Sequence, residues 1–236
     1  MNRRARKERP DPVPGTVTGT SVQVRDANRL SVYVDGSFSF GMPVDAAFEL
    51  RIHTGQVLDQ ELLDRCLAAD ESFRARQRAL GLLAHRPRTE TEIRRRLRMA
   101  DFGEPAIELA VERMRSLGYL NDADFARAFA RERLLSGRHG PRRVMADLRK
   151  KGIAADLAEQ VIQEARADQD EGAHALAAAE KRDRALPASL QPMKRRQRLY
   201  AHLARRGFSP EAIRDALARL KEPGEREAAS ELREAT

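Results

Sequence analysis

Two periods divide the chain. Between about residues 16 and 58, apolar and polar positions alternate in "TVTGTSVQVRD", "RLSVYVDG" and "SFSFGM". Asp26-Ala27-Asn28, Asp35-Gly36 and Gly41-Met42-Pro43 interrupt the alternation as turn signals. A period of two with such breaks predicts a small antiparallel β unit. It has little core of its own and is expected to lean on the helical part of the chain. From about Leu58 onward the period is helical.

The helical part repeats itself. "EIRRRLRMADFGEPAIELAVERM", "RRVMADLRKKGIAADLAEQVIQEA" and "RQRLYAHLARRGFSPEAIRDALARL" share one grammar. Each carries an apolar pair four apart: Ile93/Leu97, Val144/Leu148 and Leu199/Leu203. An apolar anchor comes next (Phe102, Ile153, Phe208), and then a second helix with Ile107, Leu157 or Ile213 on its inner face. A more variable helix precedes each pair. The fold class is therefore mainly α: three tandem three-helix repeats behind a small N-terminal antiparallel β unit. Units of this size are expected to support one another.

Punctuation agrees with the pattern. Thr89 and Glu92 form a capping box, Gly140-Pro141 places proline at a first helical position, and Asn121-Asp122 and Ser209-Pro210-Glu211 read as N-caps. Gly152 and Gly207 fall where a left-handed C-cap belongs, a role that Asp101 fits less well. The expected layout is a basic arm over 1–15, the β unit over 16–58, and helical units over 59–120, 121–167 and 168–221. A charged tail over 222–236 completes it.

Composition narrows the function classes. A formal net charge of +8 and a pI of about 10.2 favour an acidic partner such as nucleic acid. Only six of the 44 basic residues are lysine, so arginine bias accounts for part of that charge. Cys66 is the single cysteine, which excludes an intrachain disulfide or a Cys-rich metal site and suits a reducing cytoplasm. The opening "MNRRARKERPDPVPG" is basic and Pro-rich rather than a signal peptide, and no run of about 18 apolar residues predicts a membrane span.

With each core pair turned inward, a 100° step sends Arg94, Arg95 and Arg98 outward on the first repeat. On the second it sends out Arg142, Arg149 and Lys150, with Arg143 on the flank. On the third, Arg195, Arg196 and Arg198 precede the core pair while Arg205 and Arg206 come after it. One such run is ordinarily a solvated helix face. Recurrence at the same place in stacked units predicts a basic stripe, with the acids mostly on the opposite helices.

Catalytic candidates are poor by comparison. Asp122, Asp124 and Glu132 suggest a metal-dependent cluster, yet helix capping explains the first two. His53, His85, His139, His174 and His202 lack ligand spacing, and no nucleotide-binding Gly-rich loop is present. A non-enzymatic binding protein without cofactor or metal is expected. Helix-turn-helix modules of a transcriptional regulator are the second reading.

"LGLLAHRPRTETEIRRRL", "MRSLGYLNDADFARAFARERL" and "GPRRVMADLRKKGI" occur in that order, and over about residues 75–165 the chain resembles the RecX family of bacterial recombinase regulators. The resemblance implies an elongated three-repeat protein that lies in the groove of the RecA–DNA filament. It implies inhibition of ATP hydrolysis and strand exchange without catalysis of its own. Expected partners are the RecA filament and single- or double-stranded DNA bound without sequence preference, with no membrane and a monomeric protein.

Overall fold

The computed structural model describes residues 11–167 and 169–220. The first ten residues of the expected basic arm and all of the expected charged tail lie outside the described residues. Among the described residues the chain gathers into two compact units. One holds the residues up to Pro87 together with Ile93–Leu120; the other holds Arg88–Glu92 together with the residues from Asn121 onward.

In the first unit, strands β1 (Gly15–Gln23), β2 (Asp26–Val34) and β3 (Ser37–Pro43) form an antiparallel meander. A two-residue strand β4 (Val57–Leu58) pairs with the start of β1, so the order is β3-β2-β1-β4. Asp35 and Gly36 make the β2–β3 turn with φ of 48° and 80°. Positive φ at both central residues matches the right-handed twist of a hairpin, which is why Asp-Gly belongs there. The alternation turns Val17, Val32, Val34, Phe40 and Met42 to one face. That face is covered by Leu63 and Cys66 of the 26-residue helix α2 (Gln60–His85). The sheet leans on the helical part, as so small a unit must. Part of the segment expected to belong to the sheet forms a short helix instead, α1 (Val44–Glu49).

The later half of α2 opens the first repeat, with α3 (Glu90–Arg98) and α4 (Glu104–Ser116) behind it. The second repeat is α5 (Asp122–Leu135), α6 (Pro141–Lys150) and α7 (Ala155–Arg166). The third is α8 (Glu171–Asp183), α9 (Pro192–Arg205) and α10 (Pro210–Arg219). Each repeat closes its own core around its apolar pair, and all six residues of those pairs are buried.

The leading helices share more than their sequences advertise. Ala75/Ala79, Ala126/Ala130 and Ala175/Ala179 are each fully buried one turn apart. Alanine lets two backbones approach closely, and here it seats α2 on α4, α5 on α7 and α8 on α10. Four residues before each pair stands an acid: Glu71, Asp122 or Glu171. Glu71 accepts the Gly103 N–H at 2.8 Å and Glu171 accepts the Ser209 N–H at 2.7 Å, the same bond to the start of the third helix in the two repeats. Asp122 accepts the N–H of Glu90 instead, at 2.9 Å.

Middle helices end alike. The amides of Phe102, Ile153 and Phe208 donate back to Leu97, Leu148 and Leu203, the long bond of a left-handed helix stop. The residue before each anchor has positive φ: 60° at Asp101, 86° at Gly152 and 83° at Gly207. Asp101 therefore does fill the cap position, correcting the expectation from its side chain; aspartate tolerates this region better than most residues. No described helix is long and apolar enough to cross a membrane.

Candidate nucleic-acid interface

In the second unit the basic helices meet end to end. The Gly140 N–H, at the N-cap of α6, donates to the Arg206 carbonyl at the end of α9 at 2.8 Å. The Arg142 N–H donates to the Gly207 carbonyl at 3.1 Å. First-turn amides of one helix thus satisfy the last carbonyls of the other, groups that otherwise have no intrahelical partner. The contact admits no side chain: a Cβ on Gly140 would lie 2.4 Å from the Gly207 carbonyl group, and one on Gly207 would lie 2.2 Å from the Arg143 nitrogen.

The same unit repeats this junction one step earlier. The first turn of α3 meets the end of α6, where the Thr89 hydroxyl donates to the Lys151 carbonyl at 2.6 Å and accepts the Glu92 N–H at 3.3 Å. A Cβ on Gly152 would fall 2.0 Å from the Thr91 hydroxyl. The Glu92 carboxylate is held by the Lys151 ammonium at 2.8 Å. That ammonium also lies 5.3 and 5.6 Å from the ring centroids of Phe125 and Phe129, a cation–π site on α5. Sequence reasoning misses Lys151. Its signal is the Phe pair one turn apart together with the capping box, neither of which names a partner.

The sequence-predicted cations divide by what already holds them. Among the described residues, Arg142, Arg149 and Lys150 of α6 are exposed and form no ion pair, and the same holds for Arg196, Arg198 and Arg205 of α9 and for Arg95 of α3. Arg143 pairs with Asp147 one turn on, at 3.2 Å. Arg94 pairs with Glu108 at 2.8 Å and Arg98 with Glu104 at 2.5 Å, so α4 answers part of the α3 charge. Those hydrogen bonds hold both carboxylates below their ordinary range. Arg195 turns inward: its guanidinium reaches the buried Asp183 carboxylate at 2.6 Å and the Pro187 carbonyl at 3.0 Å. It braces the third repeat.

Of the acidic candidates, Asp122 accepts the Glu90 N–H and Asp124 lies in the first turn of α5. The Asn121 side chain caps α5 by accepting the Ala123 and Asp124 amides, and Asp124 also holds Arg127 at 2.9 Å. Among the described residues no three His, Cys, Asp or Glu side chains gather as a metal site. Cys66 lies wholly inside the sheet–α2 core, and burial pushes its thiol up to about 11.

The fold and this surface define a tandem three-helix-repeat protein whose middle helices carry uncommitted cations. The chain belongs to the RecX family. The models of the first, second and third three-helix domains of RecX match residues 75–114, 121–162 and 169–217. The regulatory protein RecX of Geobacillus thermodenitrificans is 30% identical over 209 residues, covering 86% of this chain and 77% of that protein. That of Lactobacillus gasseri is 31% identical over 148 residues, and the chain spans only 54% of its length. The crystal structure of RecX from Lactobacillus salivarius superposes with a TM-score of 0.57 at 25% identity, covering 64% of this chain and 97% of that one. A second crystal structure of regulatory protein RecX has the same fold, with a TM-score of 0.66 at 24% identity over 86% of this chain and all of that one.

Proposed function

We propose that the protein is a non-catalytic regulator of the RecA recombinase that binds the RecA–DNA filament and suppresses ATP hydrolysis and strand exchange. Family membership supports a regulatory role. The observation that carries the rest is the end-to-end junction of α6 and α9, with seven exposed cations along the two helices, Lys194 included, that form no ion pair among the described residues. A rigid row of cations engages several phosphates of one strand together, so modest contacts combine. On this reading DNA is bound through its backbone, without sequence preference.

The helix-turn-helix alternative asks the third helix of a repeat to enter a major groove. Those helices carry acids on exposed positions: Glu104, Glu108 and Glu112 on α4, and Asp156 and Glu159 on α7. Carboxylates facing phosphate disfavour that reading. The deciding assay is ATP hydrolysis by RecA on single-stranded DNA with substoichiometric protein added. Inhibition is expected, and it should weaken sharply when the chain is cut after residue 167. Hydrolysis that is unaffected at concentrations saturating bare DNA would sink the proposal and put the DNA-binding repressor ahead.

A further inference from the structure

The third repeat carries a second surface that meets the basic row at Arg196 alone. Helix α9 has its core face, with Leu199 and Leu203 buried. A separate stripe of the same helix bears Met193, Arg196, Gln197 and Tyr200, spaced three, four and seven residues from Met193. Arg214 and Leu217 of α10 form the opposite wall, and the two helices enclose an open groove of about 320 Å³. Met193 and Tyr200 are 68% and 44% exposed. Among the described residues of the third repeat they are the only large hydrophobic side chains so exposed. Scattered exposed apolar residues are ordinary; two that converge in one groove with arginines on both walls mark an interaction site.

We propose that this groove docks the protein partner of the filament rather than its DNA: an acidic segment of the recombinase that presents one large apolar side chain between carboxylates. This rests on the recombinase-regulator reading. Arg196 and Arg214 stand on opposite walls, and neither forms an ion pair among the described residues. Guanidinium groups so placed suit bidentate carboxylates flanking a central anchor. Met193 and Leu217 supply apolar lining from the two helices, and the flexible thioether adapts to whichever apolar side chain enters. The volume is at the lower end for a binding pocket and suits one such side chain. A nucleobase is the poorer occupant, because base recognition without pairing uses successive aromatic platforms and this groove has Tyr200 alone. The other cations of the row then meet phosphate, while the α9–α10 groove, with Arg196, meets protein.

The test uses the full chain and two variants, Met193→Ser/Tyr200→Ser and Arg214→Glu. All three are titrated against RecA free of DNA and nucleotide and, separately, against oligo-dT. Both variants are exposed-site changes, and circular dichroism checks that helix content is retained. Weakening of RecA binding by about tenfold or more in both variants is expected, the scale of a truncated interface anchor. DNA binding should stay unchanged in the serine variant, which removes no charge. Equal RecA affinity for wild type and variants overturns the inference and leaves the regulator reading standing. Loss of oligo-dT binding in the serine variant, with RecA binding intact, assigns the groove to a base and also overturns it. Tighter RecA binding by a chain ending at Leu220 assigns the groove to the protein's own C-terminal residues, which overturns it too. A wild-type protein that neither binds RecA nor inhibits its ATP hydrolysis brings down both proposals.

Discussion

The Thr89 hydroxyl donates to the Lys151 carbonyl at 2.6 Å, joining residues 62 positions apart in the chain. Thr89 is fully buried, and the same oxygen caps the Glu92 amide at 3.3 Å. Thr89→Ala leaves the Lys151 carbonyl and the Glu92 amide to find other partners. The cost should be about 1–3 kcal/mol of stability, read from denaturant midpoints. Thr89→Ser keeps the hydroxyl and should recover most of it.

Glycine at the caps separates conformation from space. Gly118 has φ of 73° with nothing within 4 Å of a Cβ, so Gly118→Ala meets only the left-handed penalty, about 1–2 kcal/mol. Gly207 has φ of 83° with the Arg143 nitrogen 2.2 Å from its Cβ position, and Gly207→Ala must also push α6 away from α9. A loss of several kcal/mol, about twice that of Gly118→Ala or more, is expected from thermal melts. Similar losses would show that the two helix ends are not held in contact.

Arginines of similar sequence context should respond oppositely. Reversing Arg142 and Lys150 to glutamate should flatten the salt dependence of single-strand binding, by about 0.7 in the log–log slope per lost phosphate contact. Melting should hardly change, because exposed charges contribute little to stability. Arg195→Ala should do the reverse. It takes the guanidinium away from the buried Asp183 carboxylate, and breaking a buried pair typically costs about 3–5 kcal/mol. An unchanged salt slope in the first variant would return α6 to the role of a solvated face.

Acid should loosen the second unit. Burial, then the Arg133 guanidinium, hold the His139 pKa below its ordinary 6.5; Arg143 and Arg206 act in the same sense and Asp147 opposes them. Burial, then Arg206, Arg182 and Arg205, depress His202 likewise. The folded state keeps both rings neutral, so below about pH 6.5 the unfolded chain binds protons that the folded chain does not. The stabilisation is present above that pH and is lost as pH falls toward the folded values. Denaturant midpoints should decline between about pH 7 and 5, and His139→Gln/His202→Gln should flatten the decline.

Large aliphatic side chains make most of the fold legible. Ile93/Leu97, Val144/Leu148 and Leu199/Leu203 stand out from charged surroundings, and the anchors behind them mark the stops. The alanine pairs of α2, α5 and α8 do not, since alanine is common on exposed helix faces and its importance lies in how near it lets another backbone come. Helical phase counts Arg195 with the outward cations because it cannot see Asp183, twelve residues back and on another helix. Asp101 escapes a search for caps by residue type, whereas backbone conformation decides the cap. Charge pattern likewise locates the basic helices but is silent about which cations have partners, since those partners are brought in by folding.

Asp101 also gives the array a direction and a beginning. At the end of α6 and of α9 the cap residue must lack a side chain, because the helix start of the preceding repeat rests on it. At the end of α3 the corresponding residue is an exposed aspartate, and the chain ahead of it folds as a sheet. A further repeat grafted in front would drive its own helix start into the Asp101 side chain. Duplication in front of the first repeat is therefore closed, and a single methylene carbon bars the way.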